Sequence, residues 1–368
     1  SREHRDWLPG WAMFAALKDR YRGAEWRLWD SAVRRREPGA LLEVAHELRD
    51  EIEFHAFVQF LFYRQWDRLR EAARARGVEI FGDIPIYMPL ESADVWENPH
   101  LFQLDEDLNP SAVSGVPPDY FSETGQLWGT PLYDWHRHEA DGFDWWIRRV
   151  RVELRKVDLL RLDHFRGFQA YWSIPARDTD ARGGRWEPGP DIRIFRALEG
   201  AVGSLPLIAE DLGDITDEVR GLRDVLGLPG MRVLQFGLGH PESEHHPSRI
   251  PEHSVVYTGT HDNDTSRGWF EELDGEERAR VLADLGTGVE DVGWDIVRAA
   301  LTTRAERAIV PMQDVLGLGS EARMNTPAVA KGNWRWRLPE GEPRPEAASR
   351  LDAVTRSTGR ASASRSRI

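Results

Sequence analysis

Three carboxylates in this chain close short apolar runs: Asp163 ends "LLRLD" (159–163), Glu210 follows "PLIA", and Asp262 stands in "YTGTHDNDT". On an extended strand, residues two apart share a face, so Arg161 projects beside Asp163. A guanidinium in that position favours the ionised carboxylate and orients its oxygens, as a nucleophile requires. The apolar approach to Glu210 acts in the opposite sense, raising its pKa so that it can donate a proton near neutrality. Retaining glycosidase chemistry uses two carboxyl groups about 5 Å apart, one attacking the anomeric carbon and the other protonating the leaving oxygen. Neighbouring strands could supply them. Asp262, with His261 beside it, would hydrogen-bond sugar hydroxyls as an oxocarbenium-like charge develops.

A single carboxylate after a strand is ordinarily a helix cap or a solvated loop charge. Three of them, each at the end of a different strand, weigh the other way. Among their neighbours, Asp211 reads as a cap or supporting partner, His164 as packed against a helix, and Asp264 as the cap of a helix starting near Thr265. The pair His245 and His246 reads as solvent-exposed. With no cysteine and no H-E-x-x-H ligand set, no metal site is expected. The chain has 16 Trp. Trp96, Trp128, Trp135, Trp186, Trp334 and Trp336 fall in loops, where indoles can stack on flat sugar faces. Trp66, Trp145 and Trp146 read as helix-face core.

Something must position these groups. Apolar residues at 54, 57, 58, 61 and 62, closed by Gly77, predict a buried helix over 49–77. Strands are predicted in "VEIFGDIPIYMPL" (78–90), "VDLLRLD" (157–163), "PLIAED" (206–211), "MRVLQFG" (231–237), "SVVYTGT" (254–260) and "RAIVPMQDVLG" (307–317). Helical segments separate most of them, which implies parallel pairing through crossovers and burial on both faces. No G-x-G-x-x-G or P-loop follows a strand, so a nucleotide-binding sheet has no support. Carboxylates at C-terminal strand ends favour an α/β fold of the (β/α)8 TIM-barrel type. Its catalytic domain would span 1–340, with 89–150 an inserted loop subdomain covering the substrate. A C-terminal helix near 345–357 and a tail would occupy 341–368. Only six strands are legible where a closed barrel needs eight, so the first two are expected to be missing.

Lys and Arg total 48 against 62 Asp and Glu, a net charge of −14 that excludes an electrostatic grip on nucleic acid or an anionic membrane. A neutral partner suits the chain better. No apolar run approaches the roughly 18 residues needed to span a bilayer, and the reading is a soluble, cytoplasmic enzyme.

The blocks "RLDHFRGF", "AEDLG" and "GTHDNDT", with "FGDIPIYMPLESADVW", "PPDYFSETGQLWGTPLYDW", "RMNTPAVAKGNWRWR" and "WLPGWAMFAALKD", resemble the 4-α-glucanotransferases, or amylomaltases, relatives of the α-amylases. The resemblance covers Asp6 to about Arg360. It implies double-displacement transfer of α-1,4-glucan segments between maltooligosaccharides, with no cofactor or metal. Asp163 would match the nucleophile, Glu210 the acid/base and Asp262 the transition-state stabiliser. Arg161, His261 and Asp83 would match conserved substrate-contacting residues. The stretch from Asp119 to Trp128 resembles a loop that covers the acceptor side and excludes water, with Asp119, Tyr120, Phe121, Gln126 and Trp128 at the sugar. Members of the family carry roughly a hundred further N-terminal residues supplying the first two barrel strands. The expectation is therefore that a missing N-terminal segment, or a second copy, completes the barrel. Alternatives are an α-amylase-type glucan hydrolase and a catalytically inactive glucan-binding fragment.

Overall fold

Each of the six apolar runs contributes a strand in the computed structural model, which describes residues 4–118, 122–329 and 331–361. The chain divides into two units, Ser1–Gly227 and Leu228–Ile368. The division falls inside the 1–340 span read from the sequence as one domain.

In the first unit the strands follow as β1 (Phe81–Ile84), β2 (Ala112–Val116), β3 (Gln126–Pro131), β4 (Leu159–Leu162), β5 (Ala170–Pro175), β6 (Arg185–Pro188) and β7 (Leu207–Ala209). β1, β4 and β7 form a parallel sheet in that order, with Asp83 opposite Arg161 and Leu162 opposite Ala209. Parallel neighbours need long crossovers. The helices Asp144–Lys156 and Ile192–Val202 lie in the connections that lead into β4 and β7. Leu160, Leu162 and all of β7 are buried, as strands covered on both faces must be. In the second unit β8 (Gly230–Val233), β9 (Ser254–Tyr257) and β10 (Arg307–Ile309) form another parallel sheet, ordered β10-β9-β8. The helix Val292–Thr302 precedes β10, and its residues Val292, Ile296 and Ala300 pack into a core with Leu234, Val256 and Phe270.

Several expectations need correction. The run 307–317 is strand only to Ile309; residues Met312–Val315 are helical, because Pro311 has no N–H for the ladder and sits at the helix N-cap. The stretch after 89 is not simply loop. β2 and β3 join β5 and β6 in a four-stranded antiparallel sheet ordered β3-β2-β5-β6, which therefore draws on residues beyond 150. "AVSGV" and "QLWGTP" are short and hold Gly or Pro, so in sequence they pass for turns. Trp96 is fully buried against Phe14 and Trp29, under the Arg36 guanidinium 4.2 Å from its ring, and so presents no sugar platform; Trp135 is half-buried and packs on Tyr133 and Trp146. The predicted C-terminal helix forms as Pro345–Ser357.

The largest correction concerns the long helix Arg49–Arg74, which was expected to be buried. The helix forms, but none of its residues is buried, and Phe54, Phe57, Val58, Phe60 and Phe62 are exposed. It is held by ring contacts of Tyr63 with Trp7 and of His55 with Trp11, and by polar contacts: Trp66 Nε1 donates to the Lys156 carbonyl at 2.8 Å, and Arg70 pairs with Asp158 at 2.8 Å. Helical period identifies residues that can be buried together; it does not supply the surface that buries them. Nearby, β1 is an edge strand, and beside its residues Asp83 and Ile84 opens a cavity of about 600 Å³ also lined by Trp7, Trp11, Trp145 and Arg149. No helix among the described residues is long and apolar enough to cross a membrane.

Candidate active site

Strand register in the first unit assembles the first group of candidate residues. Asp163 and Glu210 directly follow Leu162 and Ala209, which face each other across β4 and β7. The ladder continues past the strands: Asp163 N–H donates to the Ile84 carbonyl at 3.0 Å and Glu210 N–H to the Leu162 carbonyl at 3.1 Å. Arg161, mostly buried, lies between two carboxylates. Its Nη1 donates to both Asp83 oxygens at 2.9 and 2.7 Å, and its Nη2 is 2.9 Å from Asp163 Oδ1. Burial disfavours the guanidinium charge, yet Asp83, Asp163 and Glu210 outweigh it and hold the arginine's pKa above its ordinary value. A cationic Arg161 therefore orients Asp163 and favours its ionised form.

Glu210 has the opposite surroundings. Burial raises its pKa to about 7; Arg161 opposes the rise and Asp163 adds to it. Both oxygens are held by backbone donors, Oε2 by His164 N–H at 2.7 Å and Oε1 by Leu212 N–H at 2.8 Å. The first of these depends on a left-handed turn at His164 (φ 52°), which aims its amide at the glutamate. The His164 ring lies against Gly167 of the helix Arg166–Gln169, in line with its expected packing on a helix. Its ring meets Trp128 edge-on at 4.8 Å and Tyr87 at 6.3 Å. Asp211 pairs with Arg223 at 2.5 Å, which fits its reading as a supporting partner.

Of the loop expected over the acceptor side, Gln126 and Trp128 share one face of β3, with Trp128 Nε1 donating to Gln126 Oε1 at 3.1 Å. Trp128 is 40% exposed, so its ring is available for stacking. Asp119, Tyr120 and Phe121 lie outside the described residues.

In the second unit Asp262 and His261 occupy the loop after β9. His261 Nε2 is 3.4 Å from Asp262 Oδ2, and the His261 ring lies 5.3 Å from Trp334. The reading of the sequence missed three residues that hold this loop. Asn325 Nδ2 donates to Asp262 Oδ1 at 2.6 Å, and Arg323 Nη2 donates to the Asp262 carbonyl at 2.7 Å. Asp314, 2% exposed, clasps both ends: Thr258 Oγ1 donates to it at 2.6 Å, and Ser266 donates through its N–H and its Oγ, each at 2.7 Å. A signal existed in "VPMQDVLG", where an acidic residue interrupts an apolar run. Inside the loop, Asn263 Oδ1 accepts from Thr260 N–H and Oγ1 at 2.9 and 2.8 Å. Gly259 leaves room there for the Gln235 side chain, whose Nε2 would lie 2.7 Å from a Cβ at this position. Asp264 does not cap the following helix; Thr265 does, accepting from Gly268 N–H at 3.0 Å. His245 and His246 are not free in solvent either: His245 Nδ1 accepts from Val233 N–H, and His246 lies 3.3 Å from Asp284. Among the described residues no three His, Asp or Glu side chains are grouped to hold a metal ion.

A proton-holding glutamic acid beside an arginine-paired aspartate, at adjacent ends of a parallel α/β sheet, is the equipment of the carboxylate-pair enzymes that cleave and remake glycosidic bonds. The comparisons with known proteins agree. A family model described as 4-alpha-glucanotransferase matches residues 1–342. The 4-alpha-glucanotransferase of Aquifex aeolicus is 50% identical over 341 residues, covering 92% of this chain and 70% of that protein. The one from Thermus thermophilus is 48% identical over 363 residues, covering 96% and 73%. Among solved structures, the amylomaltase from Streptococcus agalactiae in complex with acarbose superposes with a TM-score of 0.94 at 36% identity, over 97% of this chain and 73% of that one. The chain belongs to the 4-alpha-glucanotransferase family.

Proposed function

We propose that the protein transfers α-1,4-glucan segments between maltooligosaccharides, or to glucose, by a retaining double displacement. The observation that carries this reading is the divergence of Asp163 and Glu210, one ion-paired and the other holding its proton to about pH 7 on the neighbouring strand. Adjacent strands lie roughly 5 Å apart, the separation that retaining chemistry uses. Asp163 attacks the anomeric carbon while Glu210 gives its proton to the departing glycosidic oxygen, leaving a glycosyl ester on Asp163. The acceptor's hydroxyl then loses its proton to Glu210 and displaces Asp163, which restores both groups. Arg161 orients the nucleophile. Asp262 and His261 engage sugar hydroxyls at the charged transition state, and Asp83 contributes through Arg161 and at the sugar itself. Gln126 and Trp128 contact the sugar on the acceptor side, a role to which Asp119, Tyr120 and Phe121 are also assigned, so that a sugar and not water meets the intermediate.

We further propose that the fold is a (β/α)8 barrel spanning 1–340, with 89–150 as its substrate-covering insertion. On this reading further polypeptide, an additional segment or a second copy, pairs with the β1 edge and covers the phenylalanine face of the Arg49–Arg74 helix. An edge strand beside a cavity and an uncovered aromatic face support it.

Incubation with maltotriose, with products resolved by length, tests the function. Glucose together with a ladder of longer oligosaccharides is the expected result. Release of reducing ends without a ladder would replace transfer by hydrolysis, and glucan binding without products would make the chain an inactive binder.

A further inference from the structure

The Tyr87 hydroxyl and His164 Nε2 have no hydrogen-bond partner among the described residues, and both are shielded from solvent. Tyr87 is 7% exposed and lies three residues beyond the end of β1, and His164 follows Asp163 directly. The rings of Tyr87, His164 and Trp128 form one cluster, with centroids 4.8 to 6.3 Å apart. Gly167 closes the floor. A Cβ there would stand 2.8 Å from Ile86 Cδ1, 3.0 Å from His164 Cδ2 and 3.5 Å from the Tyr87 hydroxyl, so both residues pack closely about the same glycine.

An unpartnered buried hydroxyl costs about 1–3 kcal/mol, and native proteins hold few of them. Packing gives no reason to keep this one, since phenylalanine would fill the same volume. The left-handed backbone at His164 is a second cost borne at the same place. Burial, with Arg166 assisting, lowers the His164 pKa to about 3, and burial raises that of Tyr87 well above its ordinary value, so both groups are neutral at working pH. A neutral imidazole and a phenol each donate and accept. Two such groups, walled by aromatic rings and carrying no charge, match the hydroxyls of an uncharged sugar, which both donate and accept.

We propose that Tyr87 and His164 form a hydroxyl-reading site beneath Trp128, which a glucan residue on the acceptor side engages when the exposed indole swings aside. The proposal rests on the glucan reading above and adds a specificity element to it. In the free enzyme the two unpartnered groups destabilise the fold slightly; in the complex each gains a partner. Because the contact lies away from the bond being broken, it contributes to binding more than to turnover.

The test uses the whole 368-residue chain, thermal melting without sugar and calorimetric titration with maltoheptaose. Tyr87→Phe is expected to melt at or above the wild-type temperature and to bind maltoheptaose roughly five- to tenfold more weakly, the worth of one hydrogen bond. His164→Asn, which tolerates the left-handed backbone, should show a similar loss. Unchanged affinity in Tyr87→Phe while the wild type binds overturns this inference and leaves the glucan reading intact. A lower melting temperature with unchanged affinity overturns it too, assigning the hydroxyl to the fold. If the wild type itself fails to bind maltoheptaose, both readings fall together.

Discussion

Glu210 and Asp262 are held in opposite ways. Glu210 is buried at a strand end, and backbone N–H groups hold both its oxygens. Asp262 is half-exposed on a loop, and its carboxylate is steered by the side chains of Asn325 and His261. The first arrangement follows from sheet register, so a single substitution can remove the charge while leaving the frame. The second depends on a side-chain network, and removing a residue far from the carboxylate can displace it. Proton chemistry needs a tuned pKa, which burial supplies. Hydrogen bonding to a sugar needs reach, which a clasped loop supplies.

The sharpest way to separate the two regions is to remove their charges in turn. Asp163→Asn is expected to lower transfer from maltotriose by roughly 10⁴-fold or more while glucan binding persists; retained turnover would remove it from the nucleophile's place. Glu210→Gln should cost about 10² to 10⁴ in kcat. The pH profile is the more diagnostic measurement. With its pKa raised to about 7, Glu210 loses its donated proton as pH rises through that value, so kcat/KM of the wild type should fall along an alkaline limb there. Linkage gives the matching sign for stability. A pKa raised on folding contributes stability that is complete below the ordinary 4.5 and lost as pH rises to about 7, and urea midpoints of Glu210→Gln should lack this decline. A limb that persists in Glu210→Gln would assign the proton to another group.

For the loop, Asp314→Ala removes the acceptor of three hydrogen bonds and should destabilise the chain by about 2–4 kcal/mol, with transfer falling as Asp262 moves. Asn325→Ala deletes a single contact to Asp262 and should lower kcat about tenfold with little change in melting. Equal losses of stability in both would mean that Asn325 belongs to the clasp and not to the carboxylate. The smallest effect is expected at the exposed helix face. Phe60→Ser should alter the stability of the chain by less than about 0.5 kcal/mol, because the ring is 54% exposed. Light scattering should then show less self-association than the wild type, and a large loss of stability would mean that the face is covered.

Local chemistry made much of this protein legible in its sequence. Alternating helices and apolar runs specified parallel α/β architecture, and a charged residue ending such a run lies at a strand end, so Asp163 and Glu210 could be located by type and spacing, whereas Asp262 falls on the loop five residues beyond β9. The Arg161–Asp163 pair followed from the two-residue period of a strand, a local rule that no tertiary contact disturbs. What depends on partners distant in the chain was decided only by the tertiary structure. The Asp314 clasp joins residues 48 to 56 positions apart, and the antiparallel sheet pairs β2 with β5 across a much longer separation than any turn signal spans. Burial is likewise a property of what packs against a residue: the period of the Arg49–Arg74 helix specified an apolar face, yet its phenylalanines are exposed, while Trp96, read as a loop residue, lies fully buried. Sequence determines which groups can share a face, and the tertiary structure determines what meets that face.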